Sequence, residues 1–207
     1  MKSLLTKTKT KTKIKIKIKI KTKTNSKALL IFLLCLSLPV FSNDANIAVG
    51  KKLTSLSVDN KGEIILNADK ISYQAWSTDS MNGKVQVFQY LAARLGIDEI
   101  NKPFTDALEL QTFAADKFAV TTLINVDDAL WGTSGLINSE LKRNKIKHPT
   151  AVMVADQQGL GLKQWGLKKK GAAIAIIDKA GTVLFFKEGA LSNEEIKANL
   201  ALIEKHL

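Results

Sequence analysis

Cysteine is nearly missing from this chain of 207 residues: Cys35 is the only one. It sits inside an apolar run that reads as an export signal, so the chain left after cleavage is expected to carry neither thiol nor disulfide. Thiol–disulfide exchange and peroxide reduction need an accessible sulfur nucleophile, and its absence excludes both. Histidine is as scarce. His148 and His206 lie far apart without companion ligands, which argues against a zinc centre; no metal and no cofactor is expected. Ser134 and Ser139 lack the G-x-S-x-G setting of a hydrolase nucleophile. Gly159-Leu160-Gly161 with Gly166 misses the spacing of a dinucleotide loop.

Negative charge is missing from residues 1–27, which hold 11 of the 31 basic residues. The remainder balances 20 basic against 19 acidic residues, so the formal net charge of +12 belongs to the N-terminus. A nucleic-acid-binding domain needs a basic surface that displaces phosphate counterions, and this body has no such excess; nucleic acid is excluded as a partner.

Residues 1–27 are a low-complexity Lys-Thr and Lys-Ile tract, too charged to bury a core. Residues 28–42 follow as the apolar and cleavage regions of a signal peptide. Ala28 to Phe41 is apolar, broken by Pro39, and Val40-Phe41-Ser42 offers a cleavage triplet, with Ala45 as second choice. The run is shorter than the ~20 apolar residues of a spanning helix, so membrane contact is expected only transiently, through this segment. Residues 43–207 are left as one domain in the periplasm.

Within it, Val49–Leu53 and Val58–Leu66 read as two short strands around a turn at Asn60 and Gly62, followed by Tyr73 and Trp76 in a polar connection. Val85–Leu91 is a short apolar run of β-formers, a buried central strand. A helix is predicted from Asn101, as its cap, to Ala115, with Phe104, Ala107, Leu108, Gln111 and Ala114 at helical spacing. Ala119–Val126 is the next strand, implying a parallel pair with a right-handed crossover. Ser134–Lys145 is predicted helical, with Leu136, Ile137 and Leu141 on one side. Thr150–Ala155 is a strand, and Gly159–Lys170 is short helix or irregular. Ala172–Ile177 and Thr182–Phe186 form a hairpin around Asp178-Lys179-Ala180-Gly181. Ser192-Asn193-Glu194-Glu195 is a capping box opening a helix with an Ile196, Leu200, Ile203, Leu207 stripe. The order predicts an α/β domain with helices on both faces of a mixed sheet.

This order resembles the thioredoxin-like fold in its secreted peroxiredoxin-like and TlpA-like branches: a central mixed β-sheet flanked by helices on both faces, with an N-terminal β-hairpin. More specifically the chain resembles the YtfJ family of small secreted proteins. The matching segments are Gly62-Glu63, Tyr73 with Trp76, Gly83-Lys84-Val85, Gln89, Arg94, Thr122 with Ile124-Asn125, and Asp127-Asp128-Ala129. Trp165, Leu167, Asp178-Lys179, Gly181 and Gly189-Ala190-Leu191 continue the match, which covers residues 47–207. The resemblance implies a periplasmic thioredoxin-like domain without assigned chemistry. Relatives with thiols would place their cysteines at Leu95 and Asp98, and their cis-proline at Ala172.

Asp127 and Asp128 follow a strand at its C-terminal end, where open α/β sheets bind ligands. Arg94, after the neighbouring strand, can approach them. Three readings stay open: an Asp–Arg ion pair with a cap holding an emptied site together, a polar site for a small ligand or peptide, or a metal-assisted hydrolytic site. Asp98 or Asp156 joins only if folding brings it near. Gln89 and Trp131, the latter in the loop Trp131-Gly132-Thr133-Ser134-Gly135, complete the candidate ligand-binding set. Lys168-Lys169-Lys170 with Lys142, Arg143, Lys145 and Lys147 reads as a solvated basic face, or as one attracted to anionic lipid or cell-envelope polymer. The expected function is a redox-inactive binding or accessory protein whose partner is a periplasmic protein or small ligand. The alternative is a carboxylate- or metal-dependent enzyme of the cell envelope.

Overall fold

The computed structural model describes residues 45–68, 70–132 and 134–207. The basic tract, the apolar segment with its cleavage triplet, and Cys35 lie outside the described residues. The described residues build a seven-stranded sheet ordered β2-β1-β5-β4-β3-β6-β7.

Its axis is β3 (Val85–Ala92), which pairs in parallel with β4 (Phe118–Asn125) and antiparallel with β6 (Ala172–Ile177). Being inside the sheet and covered on both faces, β3 has an almost continuous apolar sequence. Its side chains alternate between layers. Val85 and Val87 meet Phe104, Leu108, Ile196 and Ile203 on one face, while Phe88 and Tyr90 meet Leu123, Val154 and Trp165 on the other. Trp165 stands edge-on to Phe88, with ring centroids 5.2 Å apart.

Among the described residues, four helices cover the two faces. On one lie α1 (Lys102–Glu109) and α4 (Asn193–His206), with α2 (Ser134–Lys147) further along over Ile64, Ile124 and Met153. On the other lies α3 (Leu160–Trp165). β5 (Val152–Asp156) continues the sheet in parallel beside β4, and β7 (Val183–Glu188) closes the far edge beside β6. The capping box is formed as predicted: Ser192 Oγ accepts from Glu195 N, and Glu195 Oε2 accepts from Ser192 N.

Six local expectations change. Asn60–Gly62 is not a hairpin turn. It lies within β1 (Ser57–Asn67), where the register with β2 (Lys70–Ser77) shifts between Val58↔Trp76 and Glu63↔Gln74. The extra residues let Lys61–Glu63 pair with Asp156–Val154 of β5 and join the hairpin to the sheet. Lys61 (φ 68) and Gly62 (φ 79) supply the bend; a Cβ on Gly62 would lie 2.2 Å from Gln74 O. The same left-handed residues that suit a turn here serve a bulge. Tyr73 and Trp76 are in β2, not a connection, and Trp76 is buried.

The first helix stops at Glu109 rather than Ala115 because Phe113 returns to the sheet, packing edge-on against Phe118 with centroids 4.9 Å apart. Asn101 does not cap it. Its side chain is buried, and Oδ1 accepts from Leu191 N at 3.3 Å, tying the start of α1 to the loop before α4. In α2, Leu136 faces solvent while Leu141 is buried. Lys145 is also buried and leaves the supposed basic face: its Nζ donates to Ala151 O at 2.7 Å.

Candidate functional site

The parallel pairing of β3, β4 and β5 sets Ala92, Asn125 and Asp156 side by side at the C-terminal end of the sheet. There the strands deliver a polar cluster into an otherwise apolar core. Tyr90 and Asn125, each 1% exposed, face each other, and Asn125 Nδ2 donates to the Tyr90 phenol oxygen at 2.9 Å. The same Nδ2 lies 3.2 Å from Asp128 Oδ2, and Asn125 Oδ1 accepts from Asp127 N at 3.1 Å. One amide thus serves a tyrosine and two residues of the 3-10 turn Val126–Asp128. Burial pushes the Tyr90 phenol up, and Asp128, Asp156 and Glu188 add to it by disfavouring a phenolate, against the Asn125 hydrogen bond.

The loop before β6 is held down by two carboxylates. Asp128 Oδ2 accepts from Lys170 N at 3.0 Å, and Glu188 Oε2 accepts from Lys168 N at 2.7 Å. Gly171 O then accepts from Ala92 N at 3.0 Å, joining this loop to the end of β3. Asp156, fully buried, takes Gly161 N at 2.8 Å and Gln158 N at 3.2 Å, so its carboxylate is spent on the entry to α3. Gly159 (φ 62) approaches so closely that a Cβ would lie 3.3 Å from both Asn125 Oδ1 and Asp127 Oδ2.

The candidates separate on this framework. Arg94, Asp127 and Asp128 all reach the same end of the sheet, since Ala93 N donates to Asn125 O at 3.0 Å. Asp128 is half-buried and committed to Asn125 and Lys170 N, whereas Asp127 is exposed. Among the described residues Arg94 makes no ion pair with either carboxylate, and its Nε is buried without a hydrogen-bond partner. Gln89 is half-buried and alternates onto the α1/α4 face of β3, away from Tyr90. Trp131 is fully exposed in the loop beyond the turn, and Leu95 is 83% exposed. Asp98 opens the 3-10 turn Asp98–Asn101 and is exposed. Among the described residues, no group of three or more His, Cys, Asp or Glu side chains is placed to hold a metal ion.

Sequence reasoning did not single out Tyr90, Glu188 or the backbone of Lys168 and Lys170 as parts of the cluster. A tyrosine inside an apolar strand is a usable signal, because a buried phenol seeks a partner. Backbone donors from a distant loop leave no signal in side-chain identity.

A central β-α-β with two antiparallel strands and a closing helix, its loops converging beyond β3, is the architecture of a thioredoxin-like protein. Solved structures agree on the fold: a candidate thiol:disulfide interchange protein DsbE from Chlorobium tepidum matches with a TM-score of 0.52 at 14% identity, covering 76% of this chain and 97% of that one. A candidate protein disulfide isomerase from Bacteroides thetaiotaomicron matches with 0.54 at 18% identity, covering 79% and 92%. The chain belongs to the YtfJ_HI0045 family, bacterial proteins of unknown function, which residues 47–206 match. Among its relatives are the uncharacterised protein YtfJ of Escherichia coli (strain K12), 31% identical over 178 residues, 86% of this chain and 97% of that protein. An uncharacterised Haemophilus influenzae protein is 34% identical over 158 residues, 76% of this chain and 86% of that one.

Proposed function

We propose that this is an exported, periplasmic thioredoxin-fold protein that performs no thiol chemistry and instead binds a protein or small ligand at the edge where thiol relatives carry cysteines. The observation that carries the reading is the division of labour among the charges. Asp128, Asp156 and Glu188 are consumed in holding the loops. Asp127 and Arg94, opposite in charge and at the same edge, are not paired with each other. A fixed platform presenting two uncommitted charges beside exposed Leu95 and Trp131 suits recognition, where a preorganised surface loses little entropy on binding. Leu95 and Asp98 supply no sulfur nucleophile at the position of the thiols.

The test is in-cell crosslinking from a photoreactive residue at Leu95, with Asp127→Ala and Arg94→Ala as variants. The crosslinked species should be lost in both variants while their melting temperatures stay within about 2 °C of the parent, as for surface substitutions. An unchanged crosslink overturns the assignment of the edge. Mass spectrometry of the cell-envelope fraction should find a chain starting near Asn43; an unprocessed N-terminus overturns export.

A further inference from the structure

β2 is the outermost strand on the hairpin side, and among the described residues its one strand partner is β1. Its outer edge runs over eight residues, Lys70–Ser77. The opposite edge is guarded at its start, where Gly50 N donates to Val183 O and Val183 N donates to Lys51 O. Proteins usually protect an exposed edge with proline, charge or a very short strand. From Ile71 to Ser77, β2 has no proline and no charged residue, and Ser72, Tyr73, Gln74 and Ala75 are exposed. Such an edge is a template for another strand.

We propose that β2 pairs antiparallel with β2 of a second copy of this chain, with Gln74 on the two-fold axis, so that two sheets run on as one. A closed two-fold pairing must be symmetric about a single residue. Centring it on Gln74 places exposed Tyr73 opposite exposed Ala75, a large side chain against a small one. Gln74 then faces its own counterpart, and a carboxamide carries both the donor and the acceptor such a reciprocal pair requires. β2 ends at Ser77, and Lys70 of one copy then lies towards the 3-10 turn Thr78–Met81 of the other, where Asp79 is exposed, so opposite charges approach at both ends. Centring on Tyr73 instead sets tyrosine against tyrosine and Lys70 against Trp76. Self-complementarity of size, hydrogen bonding and charge favours a second copy over an unrelated extended peptide, and it involves a strand remote in the sheet order from β3 and β6.

The experiment is sedimentation of the purified chain and of Gln74→Lys and Gln74→Glu, separately and mixed. Gln74 is exposed, and among the described residues its side chain bonds only Glu63 on the neighbouring strand, so both variants should keep a cooperative melt. The parent should sediment as a dimer, and each variant alone as a monomer, because like charges then face each other across the axis. An equal mixture of the two variants should recover the dimer. A parent that stays monomeric at its highest soluble concentration overturns the proposal, as do single variants that remain dimeric or a mixture that remains monomeric.

Discussion

Asn125 and Tyr90 meet across two adjacent strands, the amide of one donating to the phenol oxygen of the other at 2.9 Å, both out of reach of water. The turn after β4, and through it the loop before β6, is tied to that pair. Asn125 also holds the turn carrying Asp127 and Asp128, and Asp128 holds the loop that leads into β6. Asn125→Ala therefore removes several hydrogen bonds at once and strands a buried phenol. The expected loss is about 2 kcal/mol or more, with Tyr90→Phe costing about 1 kcal/mol. Urea denaturation of both variants measures this; losses no larger than those of a surface substitution would mean the cluster holds nothing.

Gly159 tests the same cluster from the side of α3. Its left-handed backbone costs a substituted residue roughly 1–2 kcal/mol. An alanine Cβ would also press on Asn125 Oδ1 and Asp127 Oδ2 at 3.3 Å. Gly159→Ala should lower the melting temperature and weaken the Leu95 crosslink together, because Asp127 must move. A loss of stability with the crosslink intact would separate Asp127 from the binding edge.

Acid should loosen α4 first at its N-terminus. The Lys187 hydrogen bond, then that from Ser192 N, holds the Glu195 carboxyl below its ordinary value of 4.5. A carboxyl with a depressed folded pKa contributes stability that is present above the unfolded value and is lost as pH falls through the folded one. Amide exchange in the first turn of α4 should therefore accelerate below about pH 4.5, the unfolded carboxyl value. In Lys187→Met the same acceleration should begin closer to that value.

Lys145 should act with the opposite sense on the alkaline side. Burial, partly opposed by Glu63, draws its amine below the usual 10.5. The unfolded chain then keeps its proton to higher pH than the folded one, so stability attributable to this residue rises with pH through the folded pKa. Relative to Lys145→Met, the parent should gain stability as the solution is made more basic towards 10.5, as read by urea denaturation at successive pH values. A flat difference would show that the amine titrates alike in both states.

The elements with local physical causes were legible in the sequence. β3 announces itself as an apolar run of β-formers, β6 matches its predicted bounds, and the Ser192–Glu195 box fixes the start of α4. Asp127 and Asp128 were readable as the end of a strand in a fold that binds ligands there. Asn60–Gly62 misled because left-handed residues serve bulges as well as turns, and only the pairing of Lys61 with Asp156 distinguishes the two. The partition between structural Asp128 and exposed Asp127 depends on which one meets Lys170 N, a contact between segments 42 residues apart that no local pattern encodes.

The junction of β1 with β5 bears on the order of events during synthesis. Of the seven strands the hairpin's two are made first, yet the segment that β1 joins, Val154–Asp156, comes after β3, β4 and both intervening helices. Contacts between distant segments form slowly because chain closure precedes their reward. The earliest part of the domain to be made therefore waits unattached, and a nascent chain halted before β5 would hold two strands with nowhere to dock.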